Sequence, residues 1–339
     1  MARPQNERPL VRLRTGQAEV VFDLGGGSLV DFHATGCPNP LGWLAPDDRD
    51  VANRPMAHFL CCDRWGPPAP GEQAAGMPFH GEATRVRWNL GTQSDREATM
   101  DASLPMAGLD IHRRARLASG DALLRVDETW VNPRPVGKIF NVVQHPTLAP
   151  PFLDASTVVD TNARKGFSQH APLPDPERVS FDWPRARHEG TVVDLRRLGS
   201  DPRPNVTSFV IDDPVGWVVA CSPSTRSLIG YAWKRADYPW FNCWRHVDER
   251  GRPLARGLEF GTTGLHQPFD VLTAKGSIFG RPLTTFLDAG ATATRSYLAF
   301  NAKLPDGWTG VRSVVVRGTT VEILGRGHGA LVLRGLGLD

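Results

Sequence analysis

The stretch ALLRVDETWV, residues 122–131, decides the fold because it alternates apolar and polar side chains. Leu124, Val126 and Trp130 can share one face of an extended strand while Arg125 lies on the other. This two-residue period is typical of a half-buried β-strand, since the apolar residues of a helix recur every three or four positions. The pattern therefore predicts a strand with one buried face.

Similar short runs occur along the whole chain, rich in Val, Thr and aromatic residues and bounded by Gly, Pro, Asp or Asn. They include AEVVFDL, TVVDLRRL, TSFVIDD, GWVVACS, RSLIGYAW, ATRSYLAF and SVVVRGTTVEILG. No helical stripe separates these runs, which disfavours a βαβ architecture. Together with 34 Gly and 29 Pro, they predict a mainly β protein, a large antiparallel β-sandwich. No linker or internal repeat is visible, so we expect residues 1–339 to form a single domain.

Two Pro-rich stretches, residues 63–80 and 162–189, read as long loops. Loops of this length in a compact domain are more often binding or lid segments than plain connections. We therefore expect both to lie near a ligand.

Composition narrows the function classes. The chain has 39 basic and 36 acidic residues, a net charge of +3, which is too balanced to predict a nucleic-acid partner. We expect no membrane association, because the sequence lacks a run of ~18 apolar residues and its start lacks the apolar core of a signal peptide. Five cysteines without a C-x-x-C pair favour buried free thiols and a cytoplasmic location.

Three residues stand in unusual contexts. His80 lies in PFHGE, His145 in NVVQHP, and Glu259 in the apolar run RGLEFGTT. A carboxylate between Leu258 and Phe260 is costly to bury unless it is paired or its pKa is raised. Each residue alone also fits a purely structural role, as a hydrogen-bonding His or a solvated Glu. The ten histidines are not spaced along the sequence like the ligands of a metal ion, so no metal site is predicted.

The order of these motifs resembles the galactose mutarotase-like superfamily, which includes aldose 1-epimerases. The resemblance runs from about residue 20 to 265. It rests on LGGGSLVDFHATGCPNPLGWL, HFLCCDRWG, MPFHGEA, NVVQHPTLAPPF, GWVVACSPSTRSLIGYAWKRADYPWFNCWRH and RGLEFGTTG.

This resemblance implies an isomerase that opens and recloses a sugar ring by general acid–base catalysis. It implies Glu259 as the base and His145 as the acid, with His80 either hydrogen-bonding near the ring oxygen or stabilising the open chain. No cofactor is required for such a reaction, and none is expected. The partner would be a monosaccharide or a sugar derivative, bound by a monomer or a homodimer.

Four further residues are implied as sugar-binding groups. Arg64 would orient the sugar through charged hydrogen bonds. Asp237 is a positional candidate for a contact with sugar hydroxyls. Trp240 and Trp244 are candidate stacking platforms, with core packing as the alternative for both.

Two other function classes share this fold. One is a carbohydrate-binding or sensory protein in which the acid–base pair is idle. The other is a lyase or glycoside-cleaving enzyme, which we do not expect because no helical barrel accompanies the predicted sandwich in these 339 residues. Because Glu259 and both histidines are present, the sequence favours the isomerase.

Overall fold

The structure is a computed structural model that describes residues 8–44, 55–188 and 190–339. The strands before residue 195 are β1 (Leu10–Arg14), β2 (Ala18–Asp23), β3 (Leu29–Ala34), β4 (His58–Asp63), β5 (Asn89–Gln93), β6 (Glu97–Leu104), β7 (Leu109–Leu117), β8 (Leu123–Val131), β9 (Lys138–Leu148), β10 (Val158–Thr161), β11 (Lys165–Ser168), β12 (Phe181–Asp182), β13 (Arg185–His188) and β14 (Thr191–Asp194). Those after it are β15 (Asn205–Val210), β16 (Val215–Ser222), β17 (Ser227–Lys234), β18 (Trp240–Val247), β19 (Pro253–Gly261), β20 (Ser277–Ile278), β21 (Arg281–Pro282), β22 (Thr285–Leu287), β23 (Thr292–Lys303), β24 (Val311–Arg317), β25 (Thr320–Gly325) and β26 (Ala330–Arg334). The helices are α1 (Pro70–Ala74), α2 (Phe269–Lys275) and a 3₁₀ turn at Pro176–Val179.

Two large antiparallel sheets form the body of the described chain. The first has the order β1-β2-β3-β4-β9-β19-β18-β15-β11-β12, with β22 beside β9. The second has the order β10-β16-β17-β23-β8-β7-β6-β5. Strands hold 50% of the residues and helices 5%, so the prediction of a mainly β sandwich is confirmed.

The main core lies between these two sheets, and a second one lies behind the second sheet. Strand β8 buries alternate residues in the main core, including Leu124, Val126 and Trp130, as its two-residue period predicts. The opposite face of the second sheet packs against the small sheet β24-β25-β26, where Val321 and Ile323 are fully buried. The first sheet therefore keeps one face available for a site.

A buried polar network crosses the main core. Glu128 belongs to the inner face of β8 and is fully buried. Arg113 Nε of β7 donates to Glu128 Oε1 at 2.8 Å, and Gln144 Nε2 of β9 donates to Glu128 Oε2 at 2.6 Å. His58 of β4 lies 3.2 Å from Gln144 through its Nε2 and the amide Oε1. Because β8 and β9 belong to different sheets, this network ties the two layers together.

The stretches expected to be irregular differ in how much regular secondary structure they contain. The Gly-rich stretch after β2 forms a turn, and Gly27 there has a φ of +68° with the Trp88 ring 2.2 Å from where a Cβ would lie. The stretch 63–80 is mostly irregular but contains α1. The prediction of a loop over 162–189 is wrong, because β11, β12 and β13 form there by pairing with β15, β11 and β14. Its last residue lies outside the described residues.

All five cysteines are buried and free. Among the described residues, no helix is long and apolar enough to cross a membrane.

We predict that Glu128→Gln destabilises the fold by about 3 kcal/mol or more, because it leaves the buried Arg113 guanidinium without its counter-ion. Glu97→Gln is the matched control: its partner Arg114 is exposed at 52% and such pairs contribute about 0–1 kcal/mol. Urea unfolding of both variants measures the difference. Equal losses of unfolding free energy in the two variants would contradict the structural role of this network.

Candidate active site

The candidate site lies on the outer face of the first sheet, where β4, β9, β19 and β18 run side by side. In β9, Gln144 points into the main core, so His145 points to the outer face. In β19, Phe260 packs in the main core, so Glu259 points to the outer face as well. The pleat of two adjacent strands therefore brings an imidazole and a carboxylate together.

His145 and Glu259 form the centre of the site. His145 Nε2 lies 3.2 Å from Glu259 Oε1, and both side chains are buried, at 6% and 1% exposure. The other carboxylate oxygen, Oε2, accepts a hydrogen bond from Trp65 Nε1 at 2.7 Å. The two residues are 114 positions apart in sequence, and only the sheet joins them.

The hydrogen bonds of Thr147 orient the imidazole. The Thr147 hydroxyl donates to the carbonyl oxygen of His145 at 3.3 Å and lies 2.9 Å from His145 Nδ1. Because the hydroxyl proton is used, Nδ1–H is the donor in the second contact. The neutral ring then presents the lone pair of Nε2 towards Glu259.

Burial sets the protonation of this pair. It raises the pKa of Glu259 to about 8, partly offset by the hydrogen bond from Trp65. It lowers the pKa of His145 to about 3. Both shifts favour the neutral form of the side chain. Between about pH 3 and pH 8 the two side chains therefore share one titratable proton, and it rests on Glu259. The resting forms are thus the reverse of the base and acid forms that the sequence analysis assigned.

Two buried acceptor atoms in the site have no hydrogen bond from the described residues. One is Glu259 Oε1, whose contact with His145 is close but not aligned as a hydrogen bond. The other is Oδ1 of Asn242, the residue opposite Glu259 on β18. Unpartnered buried acceptors are unfavourable, and hydroxyl groups of a ligand would satisfy both. Asn242 was not singled out from sequence, because an Asn in a strand carries no special signal.

Glycines flank Glu259 at two positions where a side chain would collide with its neighbours. Gly257 and Gly261 flank it at alternate positions of β19 and therefore face the same side. A Cβ at Gly257 would lie 2.8 Å from Glu259 Oε1, and one at Gly261 would lie 2.4 Å from Val143 Cγ2. The G-x-E-x-G pattern was thus an available signal for close packing around Glu259.

Aromatic rings surround the imidazole. The Phe59 ring stacks on His145 at a centroid distance of 4.1 Å, and the Trp244 ring meets His145 edge-on at 6.0 Å. Trp43 packs against both Phe59 and Trp244, at 5.9 and 5.6 Å. Trp244 is half-buried and borders His145, and its role as a stacking platform stays a prediction.

Two further histidines border the site. The His80 ring lies 5.6 Å from that of His145, and His266 lies 5.5 Å from His80. His80 Nδ1 accepts a hydrogen bond from the Gly66 amide at 3.2 Å, so its proton is on Nε2. Burial lowers the pKa of His80 well below its usual value and that of His266 to about 4. His80 lies beside the pair as predicted, whereas sequence analysis missed His266.

Arg64 faces protein carboxylates. Its Nη1 donates to Asp63 Oδ2 at 2.8 Å, and its Nε and Nη2 bond Glu72. The guanidinium also lies 3.9 Å from the centroid of the Phe269 ring. The structure thus gives the charge of Arg64 two carboxylate partners, and it is the next residue, Trp65, that contacts Glu259.

Two predicted binding residues are placed away from the pair. Trp240 is fully buried, with its Nε1 donating to the Pro282 carbonyl at 3.0 Å, so it is a core residue and cannot stack on a ligand. Asp237 accepts a hydrogen bond from the Ser296 amide of β23 at 3.3 Å. It is held by the second sheet and does not face the outer side of the first. The prediction of a stacking role for Trp240 is wrong, and the ligand contact of Asp237 stays a prediction.

Within the described residues, no group of three or more His, Cys, Asp or Glu side chains is arranged to hold a metal ion.

Comparison with solved structures identifies the fold. A galactose mutarotase-related enzyme from Lactobacillus acidophilus superposes with a TM-score of 0.63 at 12% identity, covering 88% of this chain and 99% of its own. The chain has the galactose mutarotase-like fold. A galactose mutarotase-like protein from Lactobacillus casei gives a TM-score of 0.59 at 14% identity, covering 87% and 100%. A protein from Synechocystis gives 0.64 at 12% identity, covering 89% and 99%.

No protein-family model matches the sequence, and no curated protein matches it. At 12–14% identity, these structures establish the mutarotase-like fold and not the activity.

The raised pKa of Glu259 makes stability depend on pH. In the unfolded chain Glu259 loses its proton near pH 4.5, whereas in the folded chain it keeps it up to about pH 8. The folded state therefore binds more protons in this window, and this group lowers the unfolding free energy by up to ~1.4 kcal/mol per pH unit as pH rises. Glu259→Gln removes that dependence.

We predict that, from pH 5 to 8, the unfolding free energy of Glu259→Gln rises relative to that of the unaltered protein. Urea unfolding at pH 5, 6, 7 and 8 measures the difference. Glu97→Gln, at an exposed position, should run parallel to the unaltered protein. Parallel curves for Glu259→Gln would show that Glu259 ionises with an ordinary pKa.

Proposed function

We propose that this protein is an aldose 1-epimerase-like isomerase, which interconverts the anomers of a monosaccharide or sugar derivative. The observation that carries the proposal is the buried pair of His145 Nε2 and Glu259 Oε1, 3.2 Å apart. The unpartnered Asn242 Oδ1 beside it and the aromatic wall of Phe59, Trp43 and Trp244 suit the hydroxyls and the apolar face of a pyranose.

Ring opening requires one proton removed and one supplied. Glu259 as carboxylate takes the proton of the C1 hydroxyl, and His145 as imidazolium gives a proton to the ring oxygen while the bond between C1 and that oxygen breaks. The aldehyde then rotates about C1–C2. Ring closure on the other face returns both protons. The pair exchanges one proton in each direction, so no co-reactant is consumed.

The resting protonation fits the middle of this cycle. After ring opening, Glu259 is a carboxylic acid and His145 a neutral imidazole, the forms that burial favours in the free site. Before ring opening they form an ion pair, which contains the same number of protons. A pair whose two states differ only in the position of one proton can serve both steps without exchange with solvent.

We expect Glu259→Gln to slow anomer exchange by about 10²–10⁴-fold, the usual effect of losing a general catalyst. Binding should weaken much less, because the aromatic wall remains. NMR exchange between the anomers of D-glucose, D-galactose and D-galacturonate measures the rate, and the shift in melting temperature with each sugar reports binding. Glu97→Gln is the control for loss of a carboxylate elsewhere.

The same measurements separate the isomerase from a carbohydrate-binding protein. A protein that binds one of these sugars without accelerating its anomer exchange is a binding protein. Exchange at full rate in Glu259→Gln would contradict the mechanism.

Trp65 tunes the carboxylate. Its hydrogen bond to Glu259 Oε2 lowers the pKa of Glu259, so Trp65→Phe raises it. We predict that the fall of the exchange rate at high pH, where the pair of His145 and Glu259 loses its one proton, moves to higher pH in Trp65→Phe. Trp240→Phe, which loses a hydrogen bond away from Glu259, should leave the profile in place. Identical profiles for the unaltered protein and Trp65→Phe would exclude this tuning.

A further inference from the structure

A second polar pocket lies at the end of β18, on the other side of the first sheet from Glu259. Arg245 follows Trp244 on that strand, and successive side chains point to opposite faces. The pocket has a volume of about 420 Å³, and its lining includes His188, Asp201, Arg203 and Arg245. It is formed where β13, β14 and the chain after β14 approach the sheet.

Arg245 is the unusual member of this pocket. Its side chain is only 4% exposed. Nη1 donates to the Leu198 carbonyl at 3.0 Å, but Nε and Nη2 have no hydrogen-bond partner among the described residues. The carboxylate of Asp201 is 4.0 Å from Nη2, and it accepts hydrogen bonds from Arg203 at 2.8 and 2.9 Å instead. One edge of a buried guanidinium is thus left unsatisfied.

A second buried arginine adds to this charge. Arg256 lies opposite Arg245 on β19 and is 1% exposed. It donates to the carbonyl oxygens of Arg197, at 3.2 Å, and of Leu195. Burial and the neighbouring Arg256 charge lower the pKa of Arg245. Two adjacent buried cations held mainly by carbonyl oxygens are unfavourable unless an anion accompanies them.

His188 supplies a further donor. It is 5% exposed, and neither ring nitrogen has a hydrogen bond from the described residues. Burial lowers its pKa, so at neutral pH the ring carries one N–H. Among the described residues, the carboxylates that line the pocket are Asp201 and the exposed Asp194, and Asp201 accepts hydrogen bonds from Arg203.

We propose that this pocket binds a phosphate group, either free or carried by a small metabolite, with Arg245 as its anchor. Nε and Nη2 form the planar edge of a guanidinium that binds two oxygens of one oxyanion. A phosphate bound there has further oxygens for His188, whereas a carboxylate has both of its oxygens on Arg245. The pocket does not involve Glu259, so this inference is independent of the proposed isomerase activity.

The test is calorimetric titration of the whole protein with sodium phosphate at constant ionic strength and pH 7. We expect Arg245→Met to weaken binding by about 10–100-fold, the scale of one or two charge-assisted hydrogen bonds. We expect Asp201→Asn to tighten it, because the competing carboxylate is removed. Arg226→Met, at an exposed ion pair, is the matched control and should bind like the unaltered protein, as should Glu259→Gln.

Opposite effects of Arg245→Met and Asp201→Asn on phosphate affinity would support the site, since a purely structural role predicts no gain in either variant. Failure of the unaltered protein to bind phosphate, or unchanged affinity in Arg245→Met, would overturn it. Sodium acetate that binds as tightly as phosphate would overturn the choice of phosphate. If Arg245→Met does not fold, Arg245→Lys, which keeps the charge but not the planar edge, takes its place and must still weaken binding.

Discussion

The pleat of β9 and β19 is the constraint on which the site depends. Along β9, Gln144 enters the core and His145 faces outwards; along β19, Phe260 enters the core and Glu259 faces outwards. A shift of one residue in either strand would exchange these positions and bury the wrong side chains. The hydrophobic core and the contact between His145 and Glu259 are therefore specified by the same register.

The network beneath β9 fixes that register chemically. Gln144 is held by Glu128 of the opposite sheet, which is itself paired with Arg113. A core of purely apolar side chains would tolerate small displacements, whereas a buried carboxylate penalises any arrangement that leaves it unpaired. Because His145 is the next residue along β9, its backbone is held in place by the same network. Its protonation follows from the same low-dielectric surroundings, which also raise the pKa of Glu259.

Sequence reasoning reached the fold because alternation depends only on local spacing, and Leu124 and Val126 of β8 obey it. It also selected His145 and Glu259, which the structure brings together, through their contexts and a family resemblance. It could not separate Trp240 from Trp244: both occupy the same face of β18, and only the packing around Trp240, on which Phe167 and Leu265 lie, decides which is buried. Trp65 and Glu259 are 194 positions apart in sequence, and no local sequence pattern predicts a contact between residues so far apart.

Strand β18 shows how one pleat can serve two chemistries. Trp244 faces the aromatic wall of the outer site, and Arg245, the next residue, faces the buried polar pocket on the other side. Because adjacent side chains of a strand diverge, the two environments share a backbone without sharing a side chain. The same alternation of side chains explains how structures with only 12–14% sequence identity to this chain can share its fold. The sandwich needs apolar residues on the core-facing positions, and this requirement leaves the residues on the opposite face of each strand free to differ in chemistry.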